Sequence, residues 1–176
     1  MNRRNLLTLL GLGATAMTLP QPSSALPANE EDAQAILDLV TAYESAWNTS
    51  DLDVMGALYT EDIHWVNVKG MHWQGFGAVD KAHRVYFDMM FRGTRQDLEE
   101  IESITPVAPG VVIAVVRWLH GPFTAPSGDQ VPAMNTRMTL VLTKASGHWK
   151  IAHGANIEVD AGAARFDPVN GAAMKG

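Results

Sequence analysis

The chain has 176 residues, which is enough for one domain with a substantial core, and its 47% hydrophobic and 18% charged content is typical of globular proteins. The formal net charge of −6, without any run of Lys or Arg, argues against a nucleic-acid partner, because phosphate binding needs clustered cations. The absence of cysteine excludes disulfides, thiol catalysis and thiolate zinc sites.

The first 25 residues resemble an export signal. Arg3 and Arg4 precede an apolar stretch over residues 6–19 that is short for a membrane span, and residues 23–25 are small, as at a cleavage site. The paired arginines are similar to a twin-arginine signal, with a Sec signal as the alternative. We predict that residues 1–25 are removed and that the mature protein is periplasmic or secreted, without a membrane segment.

Two helices are predicted after the export signal. The pattern predicts a long helix over residues 29–48 and a short one over residues 51–59. Four side chains of the long helix share one inward face: Ile36, Val40, Tyr43 and Trp47.

A strand is predicted over residues 62–68, and Gly70 and Gly75 bracket a hairpin-like return. The period of two places Ile63, Trp65 and Asn67 on one face of this strand. A third helix over residues 77–92 then carries one stripe made of His83, Phe87 and Phe91.

The second half of the chain alternates between strands and turns. Strands are predicted over residues 98–107, 111–120, 133–144 and 149–160. Three helices followed by these strands predict an α+β domain over residues 26–160, in which a curved antiparallel sheet wraps the helices and leaves a cavity. Residues 161–176 are rich in Ala and Gly and are expected to form a flexible tail.

Three segments resemble the SnoaL-like branch of the NTF2-like superfamily: YESAWNTSDLD at residues 43–53, LYTEDIHWVNVKG at residues 58–70, and GHWKI at residues 147–151. Within this branch the chain is most similar to SgcJ/EcaC-type proteins. In those proteins the strand that contains the W-K/R-I motif ends near a His-Asn pair, and the asparagine of that pair matches Asn156. The resemblance implies a cone-shaped fold with a small-molecule pocket.

Ketosteroid isomerase, a member of the same superfamily, aligns without a gap on residues 40–67. Its oxyanion-hole tyrosine falls on Tyr43, whereas its catalytic aspartate falls on Asn67, and an amide cannot take up a proton. Its protonated aspartate falls near Thr139, which is not a comparable donor. Steroid isomerisation is therefore disfavoured.

Catalytic candidates are Tyr43, Asn67 and His83. Tyr43 and Asn67 would polarise a carbonyl or hydroxyl group, and His83 would move a proton. The alternatives are that Tyr43 is plain core, that Asn67 satisfies backbone groups near the Gly70 turn, and that His83 is a core histidine bonded to backbone.

The remaining candidates are aromatic or amide side chains expected around the ligand. The substrate-binding residues predicted are Trp47, Trp65, Trp73, Phe87, Phe91, Trp118, Asn135 and Asn156. Trp65 and Trp73 would instead fill the interior if the protein were a pure interaction domain.

No metal or other cofactor is expected. His64, His72, His83 and His153 lack the spacing of a metal motif, and no G-x-G-x-x-G fingerprint is present. Arg117 and Arg137 are expected on the sheet face turned away from the helices, at the surface or a dimer interface.

These features predict an exported homodimer that binds an apolar small molecule, as an isomerase, cyclase or hydratase-type enzyme without a cofactor. The alternative is a non-catalytic ligand-binding or dimerisation module that uses the same pocket.

Overall fold

The computed structural model of the protein describes residues 30–169. The predicted export signal and the last seven residues of the predicted tail lie outside this part of the chain. Within residues 30–169, no helix is both long enough and apolar enough to cross a membrane.

The helices lie close to where the sequence predicts them. They are α1 (Glu30–Thr49), α2 (Leu52–Ala57), α3 (Phe76–Tyr86) and the one-turn α4 (Ala161–Ala164). Asp51 caps α2, because its carboxylate accepts a hydrogen bond of 3.0 Å from the backbone N–H of Val54.

Helix α3 does not continue as a regular α-helix to residue 92. It passes into a π-helical turn over Phe87–Phe91, in which backbone hydrogen bonds join residues five positions apart instead of four. The predicted regular spacing of His83, Phe87 and Phe91 is therefore interrupted, although all three still face the interior.

Eight strands follow from the alternating segments. They are β1 (Tyr59–Val66), β2 (His72–Gln74), β3 (Gln96–Ala108), β4 (Val111–His120), β5 (Phe123–Thr124), β6 (Gln130–Val131), β7 (Met134–Ala145) and β8 (His148–Glu158). Six of them form one sheet in the order β2-β1-β8-β7-β4-β3, and β5 pairs with β6 in a separate hairpin.

The α+β architecture is confirmed, but the sheet is mixed rather than antiparallel. Strand β1 runs parallel to β8, with Trp65 opposite Gly154, while every other pair in the sheet is antiparallel. Alternation of apolar residues has the same period in both kinds of sheet, so the sequence pattern does not report strand direction.

Two boundaries also differ from the prediction. Strand β1 ends at Val66, so Asn67 lies in the turn rather than within the strand. The segment predicted as tail begins with α4, which Asp160 caps by accepting a hydrogen bond of 2.7 Å from the N–H of Gly162.

The core lies between α1 and the inner face of the sheet. Every second residue of β4, from Val112 to His120, is buried, as the alternation predicts. On the opposite face, Arg117 bonds Glu99 at 3.0 Å and Arg137 bonds Glu102 at 2.6 Å. The predicted placement of both arginines away from the helices is confirmed.

Candidate functional site

A cavity of about 370 Å³ opens between α1, α3 and the inner face of the sheet. Small-molecule sites are typically concavities of this kind, with apolar walls and a few polar groups. Most of the predicted site residues line it: Tyr43, Trp47, Trp65, Asn67, Trp73, His83, Phe87, Phe91 and Asn156.

Two residues that were predicted to contact the ligand, Asn135 and Trp118, do not line the cavity. Asn135 is exposed, because its neighbours Met134 and Thr136 on β7 face the cavity and successive side chains of a strand alternate. Trp118 has 0% exposure and does not line the cavity. It packs beneath Tyr43, with ring centroids 5.9 Å apart, and so supports the cavity wall.

Trp65 forms a wall of the cavity rather than filling it. Its indole is stacked against Tyr43, with an interplanar angle of 16°, and lies over Gly154 on the neighbouring strand. A Cβ atom on Gly154 would lie 2.5 Å from Cε3 and 2.9 Å from Cη2 of this indole. The glycine therefore makes room for the tryptophan at this position.

Trp47 and Trp73 complete the aromatic walls. The Trp47 indole N–H donates a hydrogen bond of 2.9 Å to the carbonyl of Thr94, which fixes the ring against the segment just before β3. Trp73 lies at 5.8 Å from Tyr86, ring centroid to ring centroid. A cavity remains between these rings, so Trp65 and Trp73 do not fill the interior as the interaction-domain alternative requires.

His83 is 9% exposed and lies among the rings of Trp65, Trp73 and Tyr59. Its Nδ1 donates a hydrogen bond of 2.9 Å to the carbonyl of Val79, so the neutral ring has an unprotonated Nε2. Burial lowers the pKa of His83 below its ordinary 6.5, although the bond to Val79 and the Asp80 carboxylate offset part of this. The histidine is thus bonded to backbone and also available to the cavity as a proton acceptor.

A second buried histidine, His120, was not predicted as a site residue. It is 7% exposed at the end of β4 and lines the cavity beside Phe91 and Phe123. Its Nδ1 donates a hydrogen bond of 3.0 Å to the Gly121 carbonyl, and burial lowers its pKa. The alternation of β4 places residue 120 on the same face as Trp118. This pattern is the sequence signal from which His120 could have been identified.

Tyr43 keeps its proton. Burial raises the pKa of its hydroxyl, an effect that the neighbouring Tyr59 hydroxyl partly offsets. Tyr43 and His83 both contact the Trp65 ring, so a hydrogen-bond donor and a proton acceptor flank the same indole.

Asn67 lines the cavity, but its amide oxygen holds the turn. Oδ1 accepts hydrogen bonds from the N–H groups of Lys69 at 3.0 Å and Met71 at 2.9 Å. This is the alternative that the sequence left open, in which the amide satisfies backbone near Gly70. The oxygen is committed to the turn, so only the amide N–H₂ group is left for a ligand.

The cavity is nearly free of charge. Among the described residues that line it, Lys69 is the single one that carries a full charge, and Lys69 is exposed. No carboxylate lines it within residues 30–169. Because a buried charge without a partner is costly, the walls favour an uncharged ligand.

The other histidines lie outside the cavity. His64 Nδ1 and His72 Nε2 are 3.2 Å apart on exposed side chains, and neither residue lines the cavity. In the part of the chain that the structure describes, no group of three or more His, Asp or Glu side chains is arranged to hold a metal ion.

Comparison with known proteins identifies the fold. A family model of the SnoaL-like domain matches residues 36–155. The crystal structure of an uncharacterised protein with a cystatin-like fold from Caulobacter vibrioides is 36% identical, covers 79% of this chain and 97% of its own, and has a TM-score of 0.75.

Two more distant structures share the fold alone. A ketosteroid isomerase-like protein from Erwinia carotovora atroseptica is 19% identical over 75% of this chain and 98% of its own, with a TM-score of 0.61. An NTF2-like protein of unknown function from Shewanella oneidensis is 18% identical over 71% and 98%, with a TM-score of 0.58. Among curated proteins, none matches the chain significantly.

Proposed function

The chain belongs to the SnoaL-like family of the NTF2-like superfamily, and from this we propose that it binds a neutral, largely apolar small molecule in its aromatic cavity. The observation that carries the proposal is the composition of the cavity wall. Tryptophan, tyrosine, phenylalanine and methionine side chains surround about 370 Å³ of space, the polar groups among them are few, and the single charged one among the described residues is the exposed Lys69.

The chemistry that these walls support best is proton transfer on a carbonyl compound. The unprotonated Nε2 of His83 would accept a proton from a carbon next to the carbonyl, while the Tyr43 hydroxyl would donate a hydrogen bond to the developing oxyanion. Asn67 would assist with its amide N–H₂ group. An isomerase, cyclase or hydratase-type reaction uses such a step.

One observation favours the alternative of a non-catalytic binding module. Residue 67 is an amide where ketosteroid isomerase has its base, and the described lining residues include no carboxylate. In that case His83 and Tyr43 would only recognise the ligand. The finer resemblance to SgcJ/EcaC-type proteins does not separate these two functions and stays a prediction.

We further propose that the mature chain is an exported homodimer, cleaved after residue 25. Native mass spectrometry of protein recovered from the exported fraction tests this. The expected result is a dimer whose subunit mass lacks residues 1–25 and which carries a bound neutral molecule. A full-length, ligand-free monomer in that fraction would contradict the cleavage, the dimer and the binding, and absence of the protein from the exported fraction would contradict the export.

A further inference from the structure

Gln96 is a buried amide that faces the cavity without a hydrogen-bond partner for its N–H₂ group. It is the first residue of β3, is 3% exposed and lines the cavity, and among the described residues no acceptor bonds its Nε2. A buried donor left unpaired destabilises the folded protein, so this position lacks a partner that a bound molecule could supply.

The backbone of Gln96 is held firmly by helix α1. Asn48 donates from Nδ2 to the Gln96 carbonyl at 2.9 Å and accepts at Oδ1 from the Gln96 N–H at 2.9 Å. On either side, the Trp47 indole N–H donates to the Thr94 carbonyl at 2.9 Å, and the Leu98 backbone N–H donates to the Glu44 carboxylate at 2.7 Å. These four bonds fix the chain at the point where the Gln96 side chain enters the cavity.

The neighbourhood offers Gln96 little else to bond. His120 lies directly opposite it on β4: its Nδ1 donates to the Gly121 carbonyl, and its Nε2, an acceptor in the neutral ring, does not bond the Gln96 amide. The other nearby cavity rings, Trp47, Phe91 and Phe123, are hydrocarbon apart from the Trp47 N–H, which bonds Thr94. A ligand oxygen is the partner that this position lacks.

A second unpaired amide atom lies on another wall. Oδ1 of Asn156, on β8, is buried and has no donor among the described residues, and Asn156 lines the cavity opposite Met138 of β7. A carbonyl oxygen accepts hydrogen bonds only, so its missing partner is a ligand hydroxyl or N–H group.

We propose that Gln96 and Asn156 are the polar recognition residues of the cavity, and that its ligand is an uncharged, mostly aromatic or aliphatic molecule with a carbonyl-type oxygen for Gln96 and a hydroxyl-type donor for Asn156. This inference rests on the proposed binding function. A hydroxylated ketone fits it, whereas a pure hydrocarbon or a carboxylate does not.

Three naphthalenes that differ in one group at a time test the proposal by equilibrium dialysis: ethylnaphthalene, acetylnaphthalene, and acetylnaphthalene with a hydroxyl on the far ring. The wild-type protein is expected to bind the ketone about tenfold more tightly than the hydrocarbon, and the hydroxyketone about tenfold more tightly again. Gln96→Leu should lose the preference for the ketone and keep the affinity for the hydrocarbon. Asn156→Leu should lose only the gain from the hydroxyl.

The matched control is Met134→Leu, which changes a cavity side chain without a hydrogen-bonding group and should keep both preferences. Gln96→Leu should also melt at the same or a higher temperature, since it removes an unpaired amide. An unchanged ketone preference in Gln96→Leu, or a wild-type protein that binds all three naphthalenes equally, would overturn the recognition roles while leaving the binding function intact. Binding of none of them would overturn the binding function itself.

Discussion

Replacing His83 by glutamine is expected to slow hydrogen exchange at the methyl group of bound acetylnaphthalene by about 10²- to 10⁴-fold. In the wild-type protein, Nε2 of His83 removes a methyl proton, and Tyr43 stabilises the enolate oxygen together with the Gln96 amide that binds the same carbonyl. The resulting imidazolium exchanges this proton for a deuteron from heavy water and then delivers the deuteron to the carbon. Glutamine retains similar size but has no basic nitrogen, so the exchange should fall while the affinity for the ketone remains. Proton NMR in heavy water measures the exchange directly.

The pH dependence of this exchange follows from the lowered pKa of His83. An ordinary histidine is half protonated at pH 6.5, whereas a buried one with a lower pKa still has its free Nε2 there. The midpoint of the fall in rate with acidity should therefore lie below pH 6.5, the midpoint expected for an ordinary histidine. His148→Gln, at an exposed position on β8 outside the cavity, is the matched control and should leave the rate unchanged.

Exchange that survives His83→Gln would show that another group is the base. Exchange that is absent from the wild-type protein, despite tight binding of the ketone, would favour the non-catalytic module.

Replacing Gly154 by alanine is expected to destabilise the protein by about 1–3 kcal/mol and to weaken ligand binding. The added methyl group would lie within 3 Å of three atoms of the Trp65 indole. The indole is held between Tyr43, Tyr59 and His83, so the cavity is the one open side toward which it could move. Either the ring shifts into the cavity or β1 and β8 separate.

Urea unfolding gives the loss of stability, and dialysis with acetylnaphthalene gives the loss of affinity. Gly77→Ala is the control, because a Cβ atom at that position in α3 would meet no atom within 4 Å and the helix favours alanine. It should be neutral or slightly stabilising. If Gly154→Ala were equally harmless, Trp65 would not be the packed cavity wall described above.

The fold could be predicted from the sequence because apolar residues recur with clear helical spacing in α1 and clear strand alternation in β4. The inward face of α1, ending in Tyr43 and Trp47, and the strict alternation of β4 each follow from spacing alone. The parallel pairing of β1 with β8 could not, because alternation carries no direction. The π-helical turn at Phe87–Phe91 also leaves no clear mark in the sequence.

The candidate site was only partly predictable for a related reason. Aromatic residues and His83 stand out by residue type. The position of Gln96 at the cavity depends on a tertiary contact, because Asn48, which is 48 residues earlier in the chain, holds its backbone. Asn135 was predicted to line the cavity, but the residues on either side of it do so instead, because successive residues of a strand point to opposite faces of the sheet. Asn67 has the right position for a site, but its oxygen belongs to the turn.

The central claim, that the cavity takes an uncharged apolar molecule, is tested most directly by comparing acetylnaphthalene with naphthoate in calorimetric titrations of the mature protein. The two molecules have the same rings and similar size, but naphthoate carries a negative charge at neutral pH. We expect one ketone to bind per chain and naphthoate to bind at least tenfold more weakly, because no cation is buried in the described walls of the cavity to pair with it. Equal affinity for the two molecules, or no binding of the ketone, would contradict the claim.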